Sequence, residues 1–501
     1  MAKLTRRSFL CMAGSGVLSL GFSSLLSDEK LKRPNILFIV SEDTGPELGC
    51  YGDRYARTPS LDKLAQKGVR FENAFVPYSV CSPSRASFLT GLYPHQHGQI
   101  GLATHKYRMY REFPSIPSFL KQAGYRTGII GKLHVNPESA FPFDFHEIKS
   151  SNFGKGERDV EEYADSAMKF ISASKEPFFL FINYPDTHFP LLRQDHGLPK
   201  EPLEGKDVKT LPWVGIDNPR LREFTADYYN SISRLDSGIG MLLDKLEKSG
   251  KKDNTLIIYI GDHGPQFSRG KTSVYEAALR IPMIVSRPGH IQEGIAPEEL
   301  VSTIDILPTI LKACGITVPD NLPGLALQPL MGGEKTRWRD YIYAQTNGSA
   351  PVFYFQQHSI RGTRFKLIIN PLQNRKNPCA VAYKTHLNAF FNAGVLQEEI
   401  DNAGQKIQKV YETYLNPPEY ELYDLKNDPY EFDNLAYDTD YSVEKERLLR
   451  AFKQWQKQTQ DPLSDPEKLK KLTKEHDRLK NYNYKKDKQF EWEYPEYFFG
   501  N

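Results

Sequence analysis

Three runs in this chain are apolar almost from end to end and then stop at ionisable residues: "NILFIVSED" (35–43), "FFLFINYPDTH" (178–188) and "TLIIYIGDHG" (255–264). A strand with one wet face alternates apolar and polar residues, whereas a strand buried on both faces reads as a continuous apolar run. Runs of this kind belong in a mostly parallel sheet with helices on both sides. The helices are present between them. "TPSLDKLAQKG" (58–68) offers Thr58 as a cap, Pro59 for its first turn and Gly68 for its end. "SIPSFLKQAG" (115–124) precedes a further strand, "RTGIIGK" (126–132). The long amphipathic "FTADYYNSISRLDSGIGMLLDKLEKSG" (224–250) leads into the third run, and "IPMIVSRP" (281–288) and "TIDILPTILKACG" (303–315) close this part. The alternation predicts an α/β domain.

From about residue 346 the pattern changes. "HSIRGTRFKLIIN" (358–370) and "YELYDLKNDPYEFDNLA" (420–436) read as short strands and turns, followed by a helix over "SVEKERLLRAFKQWQKQ" (442–458). The expected division is an α/β domain over 33–345, a smaller α+β subdomain with a short antiparallel sheet over 346–460, and a Lys/Tyr-rich extension over 461–501. The charges of that extension read as a solvated face and its aromatics as packing on the body; a polyanion-binding tail is the alternative.

The first 27 residues read separately. "LTRRSFL" (4–10) precedes an uncharged run of small and apolar residues ending at Leu26. A twin arginine ahead of a short, Gly- and Ser-containing apolar region predicts a bacterial twin-arginine export signal and a periplasmic or secreted protein. An uncleaved signal acting as a membrane anchor is the alternative. Lys+Arg number 65 against 62 Asp+Glu, and a net charge of +3 excludes the strong basic footprint of a nucleic-acid binder. Of five cysteines, Cys11 lies in the signal, and Cys50, Cys314 and Cys379 read as small buried side chains with no metal-ligand spacing.

In open parallel sheets, ligands bind beyond the carboxyl ends of the strands. Those ends carry Glu42 and Asp43, Lys132 with His134, Asp186 with His188, and Asp262 with His263. Any one of them alone is most simply a cap, a turn residue or a satisfied histidine; four strand ends delivering them to one rim is a different matter. Glu42, Asp43, Asp262 and His263 form an oxygen-rich set that favours Ca²⁺ or Mg²⁺ over a thiolate zinc site. Lys132 and Lys271 add positive charge, and a metal with several cations suits a tetrahedral anion, sulfate or phosphate. "CSPSRASFLTG" (81–91) then finds its place. With Ser82 as cap, Pro83 in the first position and Arg85 in the first turn, Cys81 stands at the positive end of a helix dipole. A thiol of lowered pKa, a nucleophilic thiolate and plain packing are the other readings of that cysteine.

"CSPSRASFLTGLYPHQHG" (81–98) resembles the Cys-x-Pro-Ser-Arg signature of the type I sulfatases, and "RPNILFIVSED", "AGYRTGIIGKLHV", "GDHG" and "ELYDLKNDPYEFDNLA" resemble that family's landmarks in order. The resemblance spans roughly residues 33–460. "AGYRTGIIGKLHVNPESAFPFDF" (123–145) and "WQKQTQDP" (455–462) are most similar to the N-sulfoglucosamine sulfohydrolase branch. The resemblance implies an alkaline-phosphatase-like fold and a sulfatase acting on a sulfated glycan, above all the N-sulfate of glucosamine. It implies that Cys81 is converted to formylglycine, whose hydrate attacks sulfur with one hydroxyl and expels sulfate with the other. His134 would be the base, Arg85 and Lys132 would hold the diol and the metal-bound oxygens, His188 would protonate the leaving amine or alcohol, and Lys271 would bind the sulfate oxygens. Lys271 and Asp186 would contact substrate. Glu42, Asp43, the modified Cys81, Asp262 and His263 would hold Ca²⁺, with Mg²⁺ as the alternative. The implied partners are a sulfated saccharide, a formylglycine-generating or anaerobic sulfatase-maturating enzyme and the twin-arginine translocase; homodimerisation is compatible with the sequence. Two positions depart from the family pattern: Glu42 stands where Asp is usual, and His263 where many members have Asn. "FYFQQHSIRGTRF" (353–365) fits only loosely. An O-sulfatase, a phosphoester or phosphonate hydrolase, or an inactive glycan-binding homologue are the competing readings.

Overall fold

A computed structural model of the chain describes residues 33–149 and 158–500, so the expected signal over 1–27, with Cys11, lies outside the described residues. The three apolar runs are neighbours. Asn35–Ser41 lies between Phe178–Tyr184 and Thr255–Gly261, parallel to both, and every residue of the three strands is buried. Arg126–Gly131 and Phe145–Glu147 continue the sheet in parallel on one side. On the other, Met283–Ser286 and then Val69–Arg70 join antiparallel, giving seven strands. The register explains why the chemistry collects. Ser41 is level with Tyr184 and with Gly261, and Gly131 is level with Asn183, so all four strands stop at one edge.

Helices Pro59–Gln66, Val160–Ser172 and the 30-residue Pro219–Lys248 accompany the sheet, with apolar faces inward. Helix Cys81–Thr90 is buried along its whole length. Phe88 fixes it, with its ring edge-on to Phe38 at 5.4 Å and to Phe181 at 6.1 Å, on adjacent strands of the sheet. Gly91 ends the helix with φ +70°, a conformation that costs other residues strain. The helix begins earlier than its sequence suggests. Cys81 is its first residue and extended Val80 its cap, so Ser82 and Pro83 lie inside the first turn. Ser82 Oγ instead accepts a hydrogen bond from the Ala103 amide at 2.9 Å. Thr58 likewise makes no cap bond; its hydroxyl accepts from the Gly49 amide and donates to Asp62.

The C-terminal part holds a four-stranded antiparallel sheet, Ile342–Thr346, Gln357–Arg361, Phe365–Ile369 and Tyr420–Asp424. Helix Ser442–Thr459 packs on it through Leu448, Phe452 and Trp455, with Trp455 stacked on Tyr343 at 4.6 Å. The final segment folds back on the loop before His134: Trp492 stacks on Tyr107 at 4.1 Å, and Tyr494 donates to the Gly98 carbonyl at 2.7 Å. Cys314 and Cys379 are buried and Cys50 half-buried, all unpaired; burial pushes the thiols of Cys314 and Cys379 up to about 11, which keeps them inert. Among the described residues no helix is long and apolar enough to cross a membrane.

Candidate active site

The strand ends meet at Cys81. Its Sγ lies 3.3 Å from His263 Nε2, and that nitrogen lies 3.5 Å from Asp43 and 3.6 Å from Asp262. Donor atoms of Glu42, Asp43, Cys81 and His188 fall within 4.8 Å of one another, as do those of Cys81, Asp262 and His263. Three cations interleave with the carboxylates. Arg85 reaches Glu42 Oε1 at 3.3 Å and Asp262 Oδ2 at 3.2 Å. Lys132 bonds Glu42 Oε2 at 2.8 Å, and Lys271 bonds both oxygens of Asp43 at 2.8 and 2.9 Å. Glu42, one methylene longer than the usual Asp, thereby spans two cations. Glu42, Asp43, Arg85, Asp262 and His263 are buried to the point of zero exposure. Charges survive such burial only when paired, and these are.

Local backbone geometry aims the groups. Asp43 (φ 51°), His134 (φ 58°) and Thr272 (φ 75°), which follows Lys271, all adopt the left-handed conformation that side chains other than glycine avoid. Strain of this kind persists where surrounding structure imposes it and gathers at working sites. The Asp43 amide donates to Asp262 Oδ1 at 2.9 Å, locking the first strand end to the third. Gly131 has no substitute, since a Cβ there would sit 2.4 Å from the Asn183 carbonyl; that contact lets the chain turn out towards Lys132 and His134.

The donor set fits a hard cation. His263 Nδ1 donates to the Gly264 carbonyl at 3.0 Å, which leaves Nε2 as the nitrogen facing the carboxylates, the orientation typical of a metal-binding imidazole. Asp262 Oδ2 is buried and touches Arg85 yet accepts no hydrogen bond. Burial opposes the charge of Asp262, but His263 and Arg85 outweigh it and hold the carboxyl down at about 2. Against burial, Asp262 and Cys81 raise His263 to about 9, so Nε2 would have to give up a proton to take a cation. The two remaining histidines behave oppositely. Burial, then Lys132 and Arg85, push His134 well below its ordinary value, and both its ring nitrogens are sheltered without a hydrogen-bond partner. Burial, then Lys271 and Lys132, do the same to His188, whose Nδ1 donates to the Phe189 carbonyl at 2.7 Å. The site therefore holds neutral imidazoles beside ammonium groups.

Ten of the eleven residues singled out from the sequence lie in or against this cluster; the exception is Asp186. Expected to contact substrate, its carboxylate is held by two buried guanidinium groups, Arg158 at 2.6 Å and Arg234 at 2.7 and 2.9 Å. It braces the loop carrying His188: Arg158 also holds the His188 carbonyl at 2.6 Å. A histidine two residues along made Asp186 look like its neighbours at the other strand ends, but its partners come from distant segments: Arg158 from the stretch before helix Val160–Ser172, and Arg234 from helix Pro219–Lys248. Asn183 was not anticipated. Its Oδ1 accepts from Arg85 at 2.6 Å, so it aims the guanidinium. A lone polar residue inside "FFLFINY" was the available signal.

Two family models match the chain: Sulfatase over residues 34–316, and N-sulphoglucosamine sulphohydrolase, C-terminal, over 261–376. N-sulphoglucosamine sulphohydrolase from Homo sapiens is 31% identical over 468 residues, covering 86% of this chain and 91% of the relative. An ulvan-active sulfatase from Formosa agariphila is 30% identical, with 87% and 82% covered. Among solved structures, a protein in complex with its substrate D-glucosamine-2-N,6-O-disulfate aligns with TM-score 0.64 at 22% identity, covering 86% of this chain and 99% of that one. The phosphonate monoester hydrolase of Agrobacterium radiobacter aligns with TM-score 0.64 at 19% identity, covering 85% and 96%. At these identities the two structures speak to the fold alone.

Proposed function

Because the chain belongs to the sulfatase family, we propose that it removes sulfate from a sulfated saccharide, and that the bond it cleaves is the N-sulfate of glucosamine in heparin- or heparan-type chains. One observation carries the reading: Cys81, at the head of its helix, is ringed by Arg85, Lys132 and Lys271 and faced by His263 and the carboxylates. The N-sulfate half draws on the match of residues 261–376 and on the human relative. Division into a catalytic domain (33–345), a subdomain (346–460) and an extension (461–501), export by the twin-arginine route and maturation in trans belong to the same proposal.

Converted to formylglycine, residue 81 supplies a hydrated aldehyde with one hydroxyl to attack sulfur and a second to expel sulfate. Glu42, Asp43, residue 81, Asp262 and His263 would hold Ca²⁺ or Mg²⁺, which would supply further positive charge to the site. The chain's own groups do the rest. Arg85, Lys132 and Lys271 make the rim a preorganised anion seat, and Asn183 keeps the guanidinium in place. His134 is neutral and without a hydrogen-bond partner, so it can take a proton from the group at residue 81. His188 is neutral in the resting site because Lys271 and Lys132 oppose its charging. An arriving sulfate offsets those ammonium groups, which raises the pKa of His188 and lets it hold the proton that the departing amine needs.

Mass spectrometry of the peptide containing residue 81 tests the nucleophile. Protein co-expressed with a formylglycine-generating or anaerobic maturating enzyme is expected to carry the aldehyde there; cysteine alone would remove the mechanism.

A further inference from the structure

Two of the large apolar side chains left facing water stand three residues apart on one turn: Leu387 is 58% exposed and Phe390 44%. The turn follows helix Pro378–Thr385 and is well tied down. The Asn388 side chain accepts from the Phe390 amide at 3.0 Å, and buried Phe391 packs on Phe353 at 5.3 Å and on Tyr383 at 5.0 Å. The Phe390 carbonyl accepts from Gln266 at 2.6 Å, three residues beyond His263, so the turn is fastened to the segment carrying Asp262 and His263. Its ring therefore stays in solvent by construction, a position the hydrophobic effect disfavours unless something covers it.

What could cover it is set by its neighbour. The Phe390 ring lies edge-on to His188, with centroids 5.7 Å apart, and a donor atom of His188 lies within 4.8 Å of Cys81 Sγ. For a group whose leaving atom takes its proton from His188, Phe390 is the exposed aromatic ring against that histidine. We propose that Phe390 is the platform on which the pyranose ring of the substrate packs while its sulfate occupies the cation rim. The inference rests on the sulfated-saccharide reading above. A pyranose presents a C–H-lined apolar face, and a flat aromatic ring is the surface that fits it at small conformational cost. The rim supplies charge recognition for sulfate alone; the platform supplies recognition of the ring that bears it.

The test compares Phe390→Ala, Phe390→Leu and Phe390→Tyr. On a saccharide ending in N-sulfoglucosamine, F390A is expected to raise KM about tenfold with kcat within about twofold, F390L to fall between, and F390Y to match the wild type. Inhibition by inorganic sulfate should not move, because it does not involve the platform. An unchanged KM in F390A overturns the proposal. So does a parallel weakening of sulfate inhibition, which would place the effect at the rim, or loss of a dimer without a change in KM, which would make a second copy the occupant. Binding of the same saccharide to Cys81→Ala and to the Cys81→Ala/Phe390→Ala double variant separates this inference from the activity it rests on. About tenfold weaker binding in the double variant supports the platform even if no variant releases sulfate, and equal binding sinks it.

Discussion

Around Cys81 the protein buries full charges, whereas beneath its C-terminal extension it buries ionisable rings in neutral form. In the second region His476 Nδ1 donates to the Leu472 carbonyl at 2.8 Å and its Nε2 accepts from Tyr107 at 2.8 Å, so both nitrogens are satisfied. Tyr354 stacks on the same imidazole at 4.1 Å, and Trp492 covers Tyr107. Burial drives His476 down to about 4, and it stays uncharged. At the rim, by contrast, Asp262 Oδ2 and both nitrogens of His134 lack hydrogen bonds, and Asp43 and His134 sit in strained backbone. The lesson lies in what each region leaves unfinished. The seat of the extension is complete and serves stability. The rim keeps buried polar atoms without hydrogen bonds in strained backbone, the arrangement of a site built for chemistry.

The sharpest way to break that contrast is at Cys81. C81A is expected to lower turnover by about 10⁴-fold or more while leaving the thermal midpoint nearly unmoved, because the nucleophile is lost and little packing with it. Appreciable residual turnover would contradict the assignment. W492A should do the reverse: removing a buried aromatic costs about 3–5 kcal/mol of stability, read from denaturant unfolding, with the rate per folded molecule hardly altered. A tenfold rate loss at unchanged stability would move the extension into the chemistry. D186N is placed with the seat rather than the rim; weakening its pairs with Arg158 and Arg234 should cost about 3 kcal/mol and leave KM unaffected.

The smallest effect concerns pH. Burial lowers His476 to about 4 and His97 to about 3 in the folded protein, while in the unfolded chain they titrate near 6.5. Between those values the unfolded state binds protons that the folded state refuses. Stability is therefore full above about pH 6.5 and falls as pH drops, by roughly 1.4 kcal/mol per unit for each such histidine. H476Q should flatten the slope between pH 6 and 5 by about that amount when unfolding is followed at several pH values; an unchanged slope would mean that His476 is charged in place.

The strand ends were legible in the sequence because a parallel sheet aligns them. Once the apolar runs are set side by side, Glu42, Asp43, Lys132, Asp262 and His263 have one edge to share. The partners of Asp186 were not legible, since Arg158 and Arg234 come from separate stretches that the fold alone brings together. The start of the Cys81 helix was misplaced by two residues because "SPS" offers a good cap in Ser82, whose hydroxyl the loop at Ala103 claims instead. The extension's aromatics were expected to pack inward; that they would lie on the loop 98–110 leading to His134 was written in no local pattern.

Release of free sulfate by the matured enzyme tests the central claim most directly. With N-sulfoglucosamine and 6-O-sulfated N-acetylglucosamine offered at equal concentration, sulfate should appear faster from the N-sulfated sugar. The reverse ranking would overturn the N-sulfate assignment, and no sulfate from either sugar or from any sulfated polysaccharide would contradict the reading of the rim as a sulfatase site.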